Sequence, residues 1–472
     1  MENPTVGTTV MGKHAVSDTS VIIRDAFVYT CEGGSRVADV ALSGDRIVEV
    51  GKVTRQAARV IDARGLALAP GFVDLHNHTD FYLGNLYGNH PERVELATPL
   101  RMAHNYVAQG VTTICTGNCG IGFSDIATWE GIFAGGGFGT NVCHLVPYES
   151  LLAVSVASQS ADCSSDRLKR LATQMDAGAV GFSTSLGSPA QSHAARDEIL
   201  GYCAVLQNNG GIYVMHVRGE SGRDVLDSID EGIDIAVRSE VHVHLSQWRV
   251  LRPYPKHRTA DMMDRLLRAQ GRGTQISASQ NPYGSVAARL DWEYVRQLLA
   301  GTERPLGEDE AISQVTFERV VCDIAVQDVL VVQYEAKPEY QGRNLAQIAQ
   351  DSRSTPAAIL EELYRASSPP YLVVEMMDQR SLLELMHELI LTSSNGEVTH
   401  PNERCVHPRS YGTFPRRLSM CSGSFEDAIE SMTVRPAELL GLVGRGRIRR
   451  GYFADSRFVG PAACFRQHGL RR

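Results

Sequence analysis

Basic charge is in short supply in this chain: 46 Lys and Arg stand against 54 Asp and Glu, a formal net charge of −8. No positive field is left over for a phosphate backbone, so no nucleic acid partner is expected. Long apolar runs are missing too. None approaches the roughly 18 to 20 residues of a membrane span, so no membrane partner is expected either. Aromatic residues make up only 7%, yet 43% of the 472 positions are hydrophobic and 21% charged, a globular rather than a disordered composition. The ten cysteines are scattered, without paired CxxC sets or a dense framework, which excludes a cysteine-rich zinc module and a small disulfide-stapled secreted fold. Buried thiols in a reducing cytoplasm suit this usage. Residues 1–18 lack a basic segment followed by an apolar one, and read as a disordered leader rather than a signal peptide. No GxSxG elbow surrounds a serine, and Gly135-Gly136-Gly137-Phe138-Gly139 follows no strand-turn-helix phosphate pattern, which leaves it a flexible loop.

What is present is a change of rhythm near Pro70. From Ser20 to about Arg64, short β-branched runs alternate with turn signals such as Gly33-Gly34 and Ser43-Gly44-Asp45, the pattern of a small antiparallel β unit. Beyond Pro70, strand-like runs are followed by helix-like stretches: VTTICTG, VGFSTSL, GGIYVMHV, VHVHLSQW, TQISAS, and LILTSS before Asn395. Such alternation predicts an α/β fold with a parallel sheet, and eight units would close a (β/α)8 barrel of TIM type. Catalytic groups then belong at the C-terminal ends of its strands. Segments 165–176, 223–238 and 259–270 carry apolar positions at three- and four-residue spacing and are core-facing helices. Residues 292–341 break the alternation and are expected to form an inserted subdomain. After Ser424 come a helix, DAIESMTVRPAELLGL, and a basic β-like end.

The phrase ALAPGFVDLHNHTDF sets His76 and His78 two residues apart at the end of a short strand, where both imidazoles face one way and can chelate. The pattern alone is cheap, since VHVH repeats it with His242 and His244. Company gives the first pair weight. GVTTICTGNCGIGF supplies Cys119 just after an apolar strand, and GGIYVMHVRGE supplies His216 in another. Imidazole and thiolate are the donors zinc prefers, so His76, His78, Cys119 and His216 are candidate metal ligands on the rim of the barrel. A buried structural thiol beside satisfied core histidines is the competing reading.

GFVDLHNHTDF, TGNCGIGF, GAVGFSTSL, GGIYVMHVRGE, HPRSYGTFPRRL and MTVRPAELLGLVGRGRIRRG together resemble the N-acyl-D-amino-acid deacylases, or D-aminoacylases, of the amidohydrolase superfamily. The resemblance runs in order from about Val21 to Ala454. It implies a (β/α)8 barrel with a small β-sandwich formed by the two chain ends. The expected division is a leader at 1–18, a sandwich from 19–69 plus 425–472, and a barrel from 70–424. The family's metal site is matched here at His76, His78, Cys119 and His216. Two further positions depart from it. Where the family has SHxK this chain reads Ser246-Gln247-Trp248-Arg249, and where it has SDG this chain reads Ser394-Asn395-Gly396.

The resemblance implies zinc, one ion rather than two, and a small substrate that carries a carboxylate. The family's aspartate takes a proton from the attacking water and returns it to the leaving amine; Asn395, at that position, can do neither. Gln247 offers an amide where an imidazole would bind zinc better. His244 lies three residues from Gln247 and on the opposite face of a strand, so it cannot step in. Glu397 is a conceivable substitute base. Arg249, Tyr283 and Arg409 match the family's carboxylate clamp, the competing reading for the two arginines being solvated surface charge. Ser188 replaces a family tyrosine and Ser279 a family aspartate. The expected activity is hydrolysis of the amide of an N-acyl-D-amino acid, with a non-hydrolytic homologue as the alternative. That alternative binds a carboxylate ligand or performs a rearrangement.

Overall fold

The computed structural model describes residues 19–87, 98–133, 137–158, 163–188, 190–219, 225–251, 258–291, 294–295, 298, 312–400, 406–421 and 423–461. The leader at 1–18, Gly135 and Gly136, and part of the expected insertion lie outside the described residues. The chain divides into two compact units, one of residues 1–70 and 447–472, the other of residues 71–446.

In the larger unit eight parallel strands run Phe72–Asp74, Val111–Thr116, Asn141–Pro147, Gly181–Ser185, Ile212–His216, Val243–Ser246, Ile276–Gln280 and Leu391–Thr392, each beside its predecessor. Just past the first and eighth, a parallel bridge joins Asn77 to Gly396, and the ring closes as a barrel. Its strands are rich in β-branched and apolar residues and are buried along their length, as parallel strands covered by helices must be. Helix Val225–Ser239 shows the outer layer: Val225, Leu226, Ile229, Ile235 and Ala236 are buried while the acidic and basic residues between them face out.

Between the seventh and eighth strands the chain builds an antiparallel sheet from Ser285–Arg289, Tyr371–Glu375, Val329–Gln333 and Arg343–Asn344, with helices Gln314–Asp323, Leu345–Asp351 and Pro356–Tyr364. This insertion is wider than the expected 292–341. Its first and last strands in chain order pair in register from Ser285 with Glu375 to Arg289 with Tyr371, a contact that local sequence does not announce. Helices Phe425–Glu430 and Val434–Leu439 fall within the barrel unit, whereas the sequence placed them with the chain-end domain; Ala437 and Leu440 pack in one core with Val73, Leu145 and Leu391 of the barrel strands.

The smaller unit is a six-stranded sheet in which Val21–Tyr29 is central, pairing antiparallel with Ser35–Ser43 and parallel with both Arg59–Asp62 and Leu66–Pro70. The C-terminal strand Ser456–Pro461 joins antiparallel to Leu66–Pro70, so both chain ends meet in this sheet, as expected. Ile23, Val28, Val40, Ile47, Leu68 and Ile448 form its core.

Candidate metal centre

His76 and His78 follow the first barrel strand. The two-residue spacing brings their Nε2 atoms to 3.4 Å, and Asn77 between them turns away to donate to the Cys115 carbonyl at 2.8 Å. Cys119 enters from a 3-10 turn, Asn118–Gly120, after the second strand. Its Sγ is 3.4 Å from His76 Nε2 and 3.5 Å from His216 Nδ1, at the end of the fifth strand. The donor atoms of His76, His78 and Cys119 all lie within 4.8 Å of one another, and His216 is joined to them through Cys119.

The turn that presents Cys119 is held on every side. Gly117 has φ 76, and a side chain there would put Cβ 2.0 Å from the Leu145 carbonyl, so only glycine fits. Asp80 accepts from the Gly117 and Phe123 amides at 2.9 and 3.1 Å. Ser183 Oγ accepts from the Gly120 amide at 2.9 Å and donates to the Gly117 carbonyl. Gln191 donates to the Cys119 carbonyl at 3.0 Å and accepts from the Ser185 amide at 2.6 Å. Asp74, below His76, accepts from the Ser394 amide at 2.8 Å and its hydroxyl at 2.5 Å; burial pushes its carboxyl up to about 6 against these bonds. Sequence reasoning missed Asp74, Asp80, Ser183, Gln191 and Ser394. Asp74 and Asp80 flank the HxH pair and were open to inspection, whereas nothing marks Gln191.

Electrostatics at the cluster suit a metal. Burial opposes ionisation of Cys119, yet His76 and His216 beside it hold its thiol well below the ordinary value. Burial also opposes charge on His78, but the Cys119 sulfur raises its pKa; at His76 burial wins and the ring is held neutral. Nδ1 of both His76 and His78 is buried without a hydrogen-bond partner. A thiolate and two convergent imidazoles form a zinc donor set.

Gln247 and Asn395 do reach this region. Gln247 follows the sixth strand, with Nε2 3.7 Å from Cys119 Sγ and 3.5 Å from His216 Nδ1, and its Oε1 is buried without a partner. Asn395 follows the eighth; its backbone N–H donates to the His76 carbonyl at 2.7 Å and its side-chain Oδ1 is also buried without a partner. Cys119, Gln247 and Asn395 have φ of 56, 56 and 50°, so three of the eight non-glycine residues with left-handed backbone among those described lie at this site. Glu397, half-buried, does not join the His76, His78 and Cys119 group; its charge supports that of Arg409 instead. His244 is not in the group either, since both its ring nitrogens face serine hydroxyls.

The two candidate clamp arginines are not surface charges: Arg249 is 4% and Arg409 7% exposed. Burial pushes the Arg409 guanidinium down to about 10, aided by Arg249 and opposed by Glu397 and Cys119, so the two arginines and the sulfur share one field. Arg409 opens helix Arg409–Ser419, and its amide donates to His407 Nδ1 at 3.0 Å while His407 Nε2 meets Ser285 Oγ at 3.0 Å. Tyr283 is half-buried, under the Arg416 guanidinium at 4.8 Å. A side chain at Gly412 would meet its Oη at 2.4 Å, which places the phenol over the first turn of the same helix. Ser188 turns its hydroxyl back to the Ser185 carbonyl at 2.9 Å.

No family model matches the chain. It is 28% identical over 464 residues to a D-aminoacylase from Alcaligenes xylosoxydans xylosoxydans, covering 90% of this chain and 85% of that protein. A solved D-aminoacylase with a binuclear metal centre superposes with a TM-score of 0.71 at 25% identity, covering 93% of this chain and 90% of the other. The N-acyl-D-glutamate deacylase from Bordetella bronchiseptica, solved with zinc and a phosphonate inhibitor, superposes with a TM-score of 0.73 at 21% identity, covering 93% of this chain and 89% of the other.

Proposed function

We propose that this chain, a relative of the D-aminoacylases of the amidohydrolase superfamily along nine-tenths of its length, is a zinc-dependent hydrolase that cleaves the amide of a small N-acyl-D-amino acid. One observation carries the reading: the donor atoms of His76, His78 and Cys119 converge within 4.8 Å at the C-terminal mouth of the barrel, in the electrostatic field of a buried arginine pair. His76, His78 and Cys119, with His216 beside them, would hold the ion. Zinc at such a site acts as a Lewis acid that polarises an amide carbonyl and lowers the pKa of water. One ion is proposed rather than two, because Gln247 and Asn395 stand where the family has an imidazole and a carboxylate.

Arg409 and Arg249, with Tyr283 at the same helix start, bind and orient the substrate carboxylate. Their burial keeps water out and makes each charge-assisted bond stronger than it would be at a surface. Gln247 holds Cys119 and His216 by its amide N–H. Asn395 cannot accept the proton released by the attacking water, so turnover is slow relative to an enzyme with aspartate there. Glu397 is the carboxylate nearest in sequence, and its charge favours that of Arg409, which makes it a support of the clamp before it is a base. Among the described residues no helix is long and apolar enough to cross a membrane. Cys115, Cys119, Cys143 and Cys203 are buried and form no disulfide, and on that ground the cytoplasm is the proposed location. Gln247 and Asn395 are what the non-hydrolytic alternative rests on, and the named relatives lend it no support.

The test is a panel of N-acetyl-D- and N-acetyl-L-amino acids offered to protein stripped with a chelator and reloaded with zinc. Release of free amine from D substrates, lost on stripping and regained with zinc, is expected. No hydrolysis of any D substrate by the zinc-loaded protein would contradict the assignment.

A further inference from the structure

The inside of a TIM barrel is ordinarily packed with layers of branched apolar side chains. Here it holds a column of five hydrogen-bonding groups. His242, just before the sixth strand, and His244, within it, share one hydroxyl: His242 Nε2 and His244 Nδ1 are each 2.8 Å from Ser277 Oγ. His244 Nε2 is 2.9 Å from Ser279 Oγ, and Ser393 Oγ donates to Ser279 Oγ over 3.1 Å. His244, Ser279 and Ser393 are buried, while His242, just before its strand, is half-buried. The opposite end, Ser393, comes two residues before Asn395.

The proton positions follow from counting donors. Ser279 accepts from Ser393, so its own proton goes to His244 Nε2; otherwise a buried hydroxyl proton would have no acceptor. With Nε2 an acceptor, His244 carries its proton on Nδ1 and donates to Ser277. Ser277 then donates to His242 Nε2, and His242 too is protonated on Nδ1. Each group donates to the next in a single direction, from Ser393 through Ser279, His244 and Ser277 to His242. Burial pushes His244 down to about 3 and His242 to about 4, so both rings are neutral and can pass a proton without storing one.

We propose that this column is a proton relay between the N-terminal end of the barrel and the candidate active site, a slow substitute for the shuttle carboxylate that Asn395 cannot supply. The proposal rests on the hydrolytic reading above. On the outward pass an O–H bond of the attacking water breaks and its proton goes to Ser393 Oγ, which releases its own proton to Ser279 Oγ. Ser279 gives its proton to His244 Nε2, His244 gives its Nδ1 proton to Ser277 Oγ, and Ser277 gives its proton to His242 Nε2. His242 then loses its Nδ1 proton to solvent. One X–H bond breaks for each that forms, and nothing is oxidised or reduced. The pass leaves the column with reversed polarity. Hydrolysis takes one proton from water and gives one to the leaving amine, so the inward pass runs back along the same groups and restores the starting tautomers in each turnover.

Selective ¹⁵N labelling of histidine reads the column with no substrate present. Both His242 and His244 are expected as Nδ1–H tautomers. The buried His244 N–H should exchange with solvent about tenfold faster or more in the parent than in Ser277→Ala, with Ser277→Thr, which keeps the hydroxyl, restoring the parent rate. An Nε2–H tautomer at His244, or exchange unchanged by Ser277→Ala, overturns the relay whatever the chain's activity. In turnover, Ser277→Ala should lower kcat at unchanged KM, with a smaller loss in an Asn395→Asp background. Equal loss in both backgrounds overturns the link to Asn395. Absence of hydrolysis in the zinc-loaded parent would instead overturn the hydrolytic reading, and with it the task assigned to the relay.

Discussion

Restoring a carboxylate at position 395 is the perturbation whose outcome the geometry defines best. Asn395→Asp exchanges an amide nitrogen for an oxygen and leaves shape almost unchanged. The backbone there is left-handed, which Asp tolerates as Asn does, and the backbone N–H, which the substitution keeps, already lies on the His76 carbonyl at 2.7 Å, so no rebuilding of the turn is needed. Asn395 Oδ1 is buried and makes no hydrogen bond within the protein, so a carboxylate oxygen in its place is free to face a substrate water. General acid–base catalysis contributes about 10²- to 10⁴-fold, or roughly 3 to 5 kcal/mol of barrier. The lower figure is expected for the single variant, since Gln247 still occupies the neighbouring position, and a further rise for Asn395→Asp with Gln247→His. The assay is the initial rate of N-acetyl-D-amino acid hydrolysis by zinc-loaded parent, single and double variants, with metal content measured on the same samples. The reasoning is refuted if the parent already turns over at ordinary enzymatic rates, about 1 to 10³ s⁻¹, or if the double variant holds zinc and is no faster than the parent.

Arg409→Met should raise KM for carboxylate substrates and lower kcat/KM by about 10- to 100-fold, the worth of a buried charge-assisted hydrogen bond, with Arg409→Lys recovering part; an unchanged KM would remove Arg409 from the clamp. Stability should depend on pH through His242, whose pKa burial pushes down to about 4. As pH falls below about 6.5 the unfolded chain takes up this proton and the folded chain does not, so folded stability is lost from about pH 6.5 down to about 4. The stability gap between parent and His242→Gln, measured by urea unfolding, should therefore shrink by about 2 to 3 kcal/mol between pH 7 and 4; a constant gap would show that His242 titrates normally in the fold.

Much of the barrel was legible because its strands are short β-branched runs in a repeating rhythm. Six of the eight were readable as such, and the first was implied by the HxH phrase. The third, Asn141–Pro147, escaped notice because NVCHLVP mixes polar and apolar residues: His144 inside it is buried, satisfied by Thr116 and the Phe123 carbonyl. Ligand candidates were visible from residue type and strand-end position, and the barrel's closure does bring His76, His78, Cys119 and His216 together. Their supports were not, since Gln191 and Ser183 reach the Cys119 turn from the fourth strand and the residues after it. The span of the insertion was underestimated for the same reason: register between Ser285 and Glu375 is a long-range property. Helices 425–430 and 434–439 were assigned to the wrong unit because amphipathicity says that a face is buried, not against what.

Zinc content per chain is the most direct test of the account. Parent protein and Cys119→Ala would be loaded with zinc, dialysed exhaustively and analysed for metal, with circular dichroism as a check on the fold. The expected result is one ion per chain in the parent and none in the variant, at unchanged secondary structure, because the centre sits at the barrel mouth and not in its core. A parent that retains no zinc, or a Cys119→Ala variant that keeps it, would contradict the metal centre; two tightly held ions would contradict the roles given to Gln247 and Asn395.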